Sequence, residues 1–295
     1  MADQPAVING EAISDASLNE AYALIARTLG DNRIKATCAF VTAFAAGEEA
    51  LRANGDTLRL LATHAPHWFS GILSAIDSGR PEGWFGPSFY RTLREDGHEM
   101  AWHGATHLSL ADQTPHAAIQ LELELAARLF QAMGATPRTI VFPRNVPGHL
   151  DTLRHAGFDT YRARLPAGLG TKVKGLLGEW KVWDGGMQPT PSLQDGWHVS
   201  PAGLFLNWPS GVRAFVPVDV TVRRWKSLLR TAVRQGGYVH MWFHPHNLIT
   251  APAMQVTFAE VMKEVGALIR SGDMVSLTMA EANDYYPAPV QGGTR

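Results

Sequence analysis

Two imidazoles set the chemistry to be explained. In residues 97–107, GHEMAWHGATH, a short apolar run reads as a strand that delivers His103, and His107 follows four positions later. His103 then sits at the strand's C-terminal tip and His107 one turn further on, so both rings can converge on one point, as a bound divalent cation requires. The chain has 12 histidines, and His240/His244 is a second pair at the same spacing, so spacing alone does not select this pair. Context does. A helix-like PSFYRTLREDG ends at Gly97, a strand follows, and the pair comes beyond its carboxyl end, where α/β proteins place their chemistry.

Two further segments put ligand-capable residues directly after a strand. They are Pro143-Arg144-Asn145 after TIVF, and His244-Pro245-His246-Asn247 after YVHMWF. A fourth is expected after PAVIN, at Glu11 or Asp15. In a parallel sheet or barrel all strand C-termini share one face, so these segments meet in space. Two histidines and one carboxylate around an open position form a catalytic zinc-type set, with cobalt, nickel or manganese as alternatives, and such a set lowers the pKa of a bound water toward neutrality. Another histidine can then act as acid or base. His244 and His246 alternate on a strand end and point to opposite sides, so only one faces the site, and His244 is the choice. His240 reads as a packed strand residue. Trp102, Trp242 and His246 are candidate substrate contacts, and Trp180, Trp183, Trp197 and Trp208 could floor a sugar groove, because flat rings stack on pyranose C–H faces.

The elements that must position these residues alternate regularly. Helices are expected at 17–29 (Ser17 as N-cap, Gly30 as stop), 87–96, 116–133 (ended by Gly134), 148–156, 221–235 (Thr221 as N-cap) and 256–271, with a broken helical region over 46–79. Strands are expected at 5–9, 34–44, before His103, and at 139–142, 158–162, 203–207, 213–217 and 238–243. Residues 165–200, rich in Gly, Trp and Pro, read as an irregular excursion, and no internal repeat interrupts the pattern. This rhythm argues for parallel β/α units, hence a barrel or doubly wound sheet, and 295 residues make one domain, 1–295.

Composition narrows the function classes. With 45% hydrophobic and 18% charged residues the chain is ordinary globular material, and a net charge of −1 removes the electrostatic case for nucleic acid or an anionic membrane. No run approaches the ~18 apolar residues of a membrane span, and no signal-like h-region opens the sequence. The single Cys38, in ATCAFV, reads as a small core residue. A cytoplasmic protein is the resulting expectation.

IKATCAFV (34–41), GHEMAWHGATH, TIVFPRNVPGHLDTLRHAGFDTYRA (139–163), YVHMWFHPHN (238–247) and GDMVSLTMAE (272–281) together resemble the polysaccharide deacetylase (NodB-homology) family, carbohydrate esterase family four, and within it the FPRN-bearing branch. The resemblance implies an irregular (β/α) barrel that hydrolyses N-acetyl groups on amino sugars or glycan precursors. It implies a divalent metal held by Asp-His-His, a carboxylate base, a backbone N–H at the oxyanion and a histidine acid. His103 and His107 match the metal histidines, His244 the acid, Asn145 the residue whose backbone N–H holds the oxyanion, and Arg144 lies in the motif that supports the base. The family's Thr-Phe-Asp-Asp string is absent. Counted from PAVIN, Asn9 and Gly10 fall where the acids belong and Glu11 is the nearest carboxylate; counted back from IKAT, Asp15 is equally near. Either serves as ligand and base in this reading, since an asparagine takes no proton from water and losing a base costs on the order of 10²–10⁴ in rate. The other readings are a silent relative that binds glycan or a partner, and an amidohydrolase of a formamide or other non-sugar amide.

Overall fold

The computed structural model describes residues 13–79, 82–164, 188–207, 209 and 211–286. The cap of helix α1 (Asp15–Asp31) lies three residues before the expected Ser17. Ser14 is the N-cap, and Ser17 is the third helical residue that answers it: Ser17 N–H donates to Ser14 Oγ at 3.1 Å and Ser14 N–H to Ser17 Oγ at 2.9 Å. The 5–9 strand lies outside the described residues.

The expected 34–44 strand splits into β1 (Thr37–Phe40) and a short α2 (Thr42–Ala46). Then α3 (Glu48–Arg52), α4 (Gly55–His64) and α5 (Pro66–Ser78) fill the broken helical region. Helix α6 (Pro87–Glu95) feeds β2 (Glu99–Trp102), and α7 (His116–Met133) matches its expected span before β3 (Thr139–Ile140). A 3-10 turn at Pro143–Asn145, α8 (Leu150–His155) and β4 (Thr160–Arg162) follow.

Residues 165–187 of the expected excursion lie outside the described residues. Its end is a regular hairpin, β5 (Ser192–Gln194) and β6 (Trp197–Ser200). Asp195 and Gly196 turn it with φ of 47° and 77°, the conformation for which Asp-Gly is suited. After β7 (Leu204–Phe205) the expected 213–217 strand is instead a 3-10 turn at Gly211–Phe215. Helix α9 (Val218–Gln235) starts after Pro217, ahead of the expected Thr221, whose buried hydroxyl accepts from Asn207 Nδ2 at 3.3 Å. Strand β8 (Met241–Trp242), α10 (Pro245–Thr250), α11 (Pro252–Arg270) and α12 (Met279–Tyr285) close the chain.

The fold is mixed α/β with a mainly parallel sheet. Its ladder runs β1-β2-β3-β4-β6-β5, parallel throughout except for β5, while β7 and β8 form a separate parallel pair. Among the described residues the two ladders do not join into a closed ring, so the parallel β/α arrangement is seen and barrel closure is not. Phe40 pairs with Trp102, Trp102 with Ile140 and Ile140 with Tyr161, which sets the strand ends level. Trp102, fully buried, stacks on Phe158 at 4.9 Å, and Ile119, Leu125 and Leu129 of α7 are buried in the same core.

Glu99 ties the opposite end of the strands together. Its carboxylate accepts from Thr37 Oγ1 at 2.6 Å, from Thr139 Oγ1 and from Ala280 N–H at 3.2 Å, while Thr37 Oγ1 accepts from Met279 N–H at 2.7 Å. One side chain thus joins β1, β2, β3 and α12. Glu99→Ala leaves those donors unsatisfied and is expected to lower stability by about 1–3 kcal/mol, read as a lower denaturant midpoint at unchanged slope.

Candidate functional site

His103 is the first residue past β2. Its N–H still pairs with Phe40 O at 2.9 Å, and Nδ1 donates to Val141 O at 2.5 Å. A carbonyl only accepts, so the proton sits on Nδ1 and Nε2 keeps its lone pair. The chain then turns sharply. Gly104 has φ +80°, and a Cβ there would stand 3.2 Å from both His107 N and Pro143 Cγ. His107 itself takes φ +65°, the left-handed region that only Gly adopts freely. The turn brings the two rings to a centroid separation of 4.7 Å.

Glu122 holds this turn. Wholly buried on α7, it accepts from Ala105 N–H at 2.7 Å, Thr106 N–H at 3.2 Å and Thr106 Oγ1. Burial raises its carboxyl to about 7 against the lowering effect of those donors. Trp68 of α5 covers the same turn: its ring stacks on His107 at 5.8 Å and its Nε1–H reaches Thr106 O at 3.4 Å.

Arg144 and Asn145 follow β3 with φ of 59° and 55°. Left-handed non-glycine residues cost on the order of 1–3 kcal/mol each, and their clustering with His107 marks a place where geometry is held against that cost. The Arg144 guanidinium lies 4.5 Å over the Trp68 ring. The Asn145 backbone N–H, expected at the oxyanion, donates instead to Phe142 O at 3.0 Å and closes the 3-10 turn; its side-chain Oδ1 accepts from Arg162 Nη2.

Arg162, at the end of β4, is 9% exposed, and its guanidinium stands 4.6 Å from the Trp242 ring. Burial lowers its pKa to about 10, so it remains a cation at neutral pH. Trp242 meets the edge of His244 at 5.4 Å, and His244 stacks on His246 at 5.1 Å with planes 18° apart. The two histidines therefore lie on one side, contrary to the alternation expected of a strand. The strand has ended at Trp242, and Pro245 starts α10 with His244 as its cap, whose N–H donates to Asn247 Oδ1 at 3.0 Å. His240 is turned away, bonded through Nδ1 to Pro201 O at 2.8 Å.

The electrostatics keep these rings neutral. Burial pushes His103 down to about 3, and His244 and Arg162 add to that against the Val141 bond. His107 is lowered by burial first, then by His103, Arg144 and His244. Burial followed by Arg162 lowers His244, and burial followed by His244 lowers His246, to about 4. Neutral imidazole is the form that binds a cation. His107 Nδ1 is moreover buried with no hydrogen-bond partner. The two rings thus suit a metal, but no third His, Cys, Asp or Glu joins them among the described residues.

Other expected site residues stand elsewhere. Asp15 is exposed at the start of α1, where its carboxylate accepts from Gly83 N–H at 2.8 Å, away from the pair. Glu11 lies outside the described residues, as do Trp180, Trp183 and Trp208. Trp102 and Trp197 are buried in the core, so neither presents a face to substrate. Sequence reasoning missed three residues. Arg162 obeys the same strand-end rule that found the others. Glu122 interrupts the apolar stripe of α7 between Ile119 and Leu125, a visible signal. Trp68 carries none, because its neighbours make it look like ordinary helix packing.

Glu122→Ala leaves three buried donors without an acceptor and frees the turn between the histidines. The expected result is a loss of at least about 2 kcal/mol in chemical denaturation, together with a broadened His107 imidazole NMR signal.

Residues 13–155, just under half the chain, match the family model described as polysaccharide deacetylase. A search of the curated proteins finds no match. Among solved structures the chain is similar to a candidate polysaccharide deacetylase from Mycobacterium smegmatis, at 14% identity and a TM-score of 0.46 over 88% of this chain and 80% of that one. The family match supports deacetylase-type hydrolysis of glycan acetyl groups, and the stretch it spans holds both histidines of the pair and the Pro143–Asn145 turn. Over residues 13–155 the chain is similar to the polysaccharide deacetylases.

Proposed function

We propose that the protein is a metal-dependent amidohydrolase that removes an acyl group, acetyl first among the candidates, from an amino sugar or glycan precursor. The observation that carries this reading is the desolvated, neutral pair His103/His107, held 4.7 Å apart on the edge of the sheet that His244 also reaches. His103, through the Nε2 that its Val141 bond leaves free, and His107 would hold a divalent cation, zinc or else cobalt, nickel or manganese. When bound, such a cation supplies Lewis acidity that polarises the acyl carbonyl and activates water.

The remaining steps belong to the chain. His244 is neutral at rest, so it can take a proton from the attacking water and hand it to the departing amine; one imidazole then does the work of base and acid in turn. Trp242, backed by Arg162, offers a flat face for sugar C–H groups, and His246 stands beside His244 as a further polar contact. The second reading, a silent relative that binds glycan through the same cleft, is favoured by one observation: among the described residues no carboxylate joins the histidine pair.

Metal analysis together with amine release from N-acetylated sugars tests both readings. Stoichiometric metal and metal-dependent amine release, both lost in His103→Ala, are expected; full metal occupancy in that variant removes the assignment, and metal without turnover on any substrate selects the silent reading. The pH profile gives a separate check. His244 acts from its neutral form and its pKa lies below the ordinary 6.5, so the rate should fall only as pH drops below about 6.5. Arg162→Gln, by removing a neighbouring positive charge, should move that acid limb to higher pH.

A further inference from the structure

We infer that Arg162 receives an oxyanion carried by the substrate, the carboxylate or phosphate of an acidic amino sugar, and that the cleft is built for a negatively charged glycan unit. This inference rests on the reading above and names the substrate class for the same site.

Arg162 is 9% exposed, and its burial, which lowers its pKa to about 10, is costly unless an anion faces the charge. Among the described residues no Asp or Glu lies within ion-pair distance of Arg162. Among the described residues it meets the neutral amide oxygen of Asn145 and the face of Trp242. Both hold the guanidinium in place, and its planar fork matches a carboxylate or phosphate with two parallel bonds. The position is functional. Arg162 ends β4 on the sheet edge where β2 delivers His103, and its charge is felt at His103, His240 and His244. Arg144 adds a second cation over Trp68, beside His107. Two arginines among imidazoles held neutral make a positive, partly dry cleft that draws in and orients an anion. The chain as a whole carries a net charge of −1, so this field is local to the cleft.

The test compares three N-acetylated substrates that share one sugar ring: the neutral sugar, its uronic acid and its 1-phosphate. Wild type, Arg162→Gln and Arg162→Lys are assayed, and binding of inorganic phosphate is measured by calorimetry without turnover. Expected is a preference in kcat/KM of about 10- to 100-fold for an acidic form, expressed mainly in KM. It should vanish in Arg162→Gln and persist in part in Arg162→Lys, which keeps the charge without the fork. The uronate and phosphate arms tell which oxyanion is read. Competitive phosphate binding should likewise be lost in Arg162→Gln. Equal kcat/KM for neutral and acidic sugars in wild type, or a preference that survives Arg162→Gln, overturns the inference while hydrolysis stands. Amine release from none of the three, with phosphate bound by wild type and not by Arg162→Gln, keeps the inference and overturns the hydrolase. No phosphate binding and no amine release overturns both. Should Arg162→Gln fail to fold, the wild-type preference, its decline with added salt and the lysine variant decide alone.

Discussion

Two imidazoles cannot be kept close, uncharged and out of water unless the backbone between them is fixed, and the Gly104–His107 turn is where that constraint is met. Leaving β2, the chain must reverse within four residues, which demands a glycine at +80° and drives His107 itself to +65°. The glycine takes its conformation freely, but at His107 it carries a cost. Glu122 supplies the compensation by accepting both backbone N–H groups and the hydroxyl that the turn leaves unpaired, from a helix that is itself packed against α2 and α4. The remainder follows from this clamp. Trp68 can stack on His107 because His107 does not move, and Arg144 can lie over Trp68 because that ring is held between the two.

The register of the parallel ladder is the second constraint. Phe40, Trp102, Ile140 and Tyr161 stand side by side, so the residues that follow them leave the sheet at one level. That alignment explains why His103 can donate to Val141 O and why Arg162 can reach Asn145 across the gap from β4 to the turn after β3. The same contacts set the electrostatics. Burial comes first and the Arg162 charge adds to it in lowering His103 and His244, whereas Arg162, lowered by burial to about 10, remains a cation.

How much of this the sequence discloses depends on whether a feature is periodic. Helix α7 is readable to the residue, because eighteen positions of amphipathic spacing end in a glycine at φ +58°. Strand lengths are not, because a parallel strand ends where its partner ends: IKATCAFVTAF is largely apolar along its length, yet its ladder stops at Phe40 and Thr42 enters a helix. The residues after Trp242 show the same limit, since their alternating histidines look like a strand until Pro245 is recognised as the first residue of a helix. The Asp195-Gly196 turn, by contrast, was readable, and its signal was lost in a Gly-rich neighbourhood. Strand-end position found His103, His107 and the Pro143–Asn145 turn and would have found Arg162 by the same rule. It could not find Trp68, whose contact with His107 joins two segments 39 positions apart that share no pattern.

The asparagine of the FPRN turn shows how these constraints redistribute roles. Once Arg144 and Asn145 adopt left-handed conformations, the Asn145 N–H folds back onto Phe142 O, and a group that could have faced an oxyanion is consumed in holding the turn. What the turn offers the cleft instead is the Asn145 side chain, and that side chain is spent on Arg162. The positive groups that remain at this end of the sheet are the side chains of Arg144 and Arg162, and the proposed recognition of an acidic sugar rests on them.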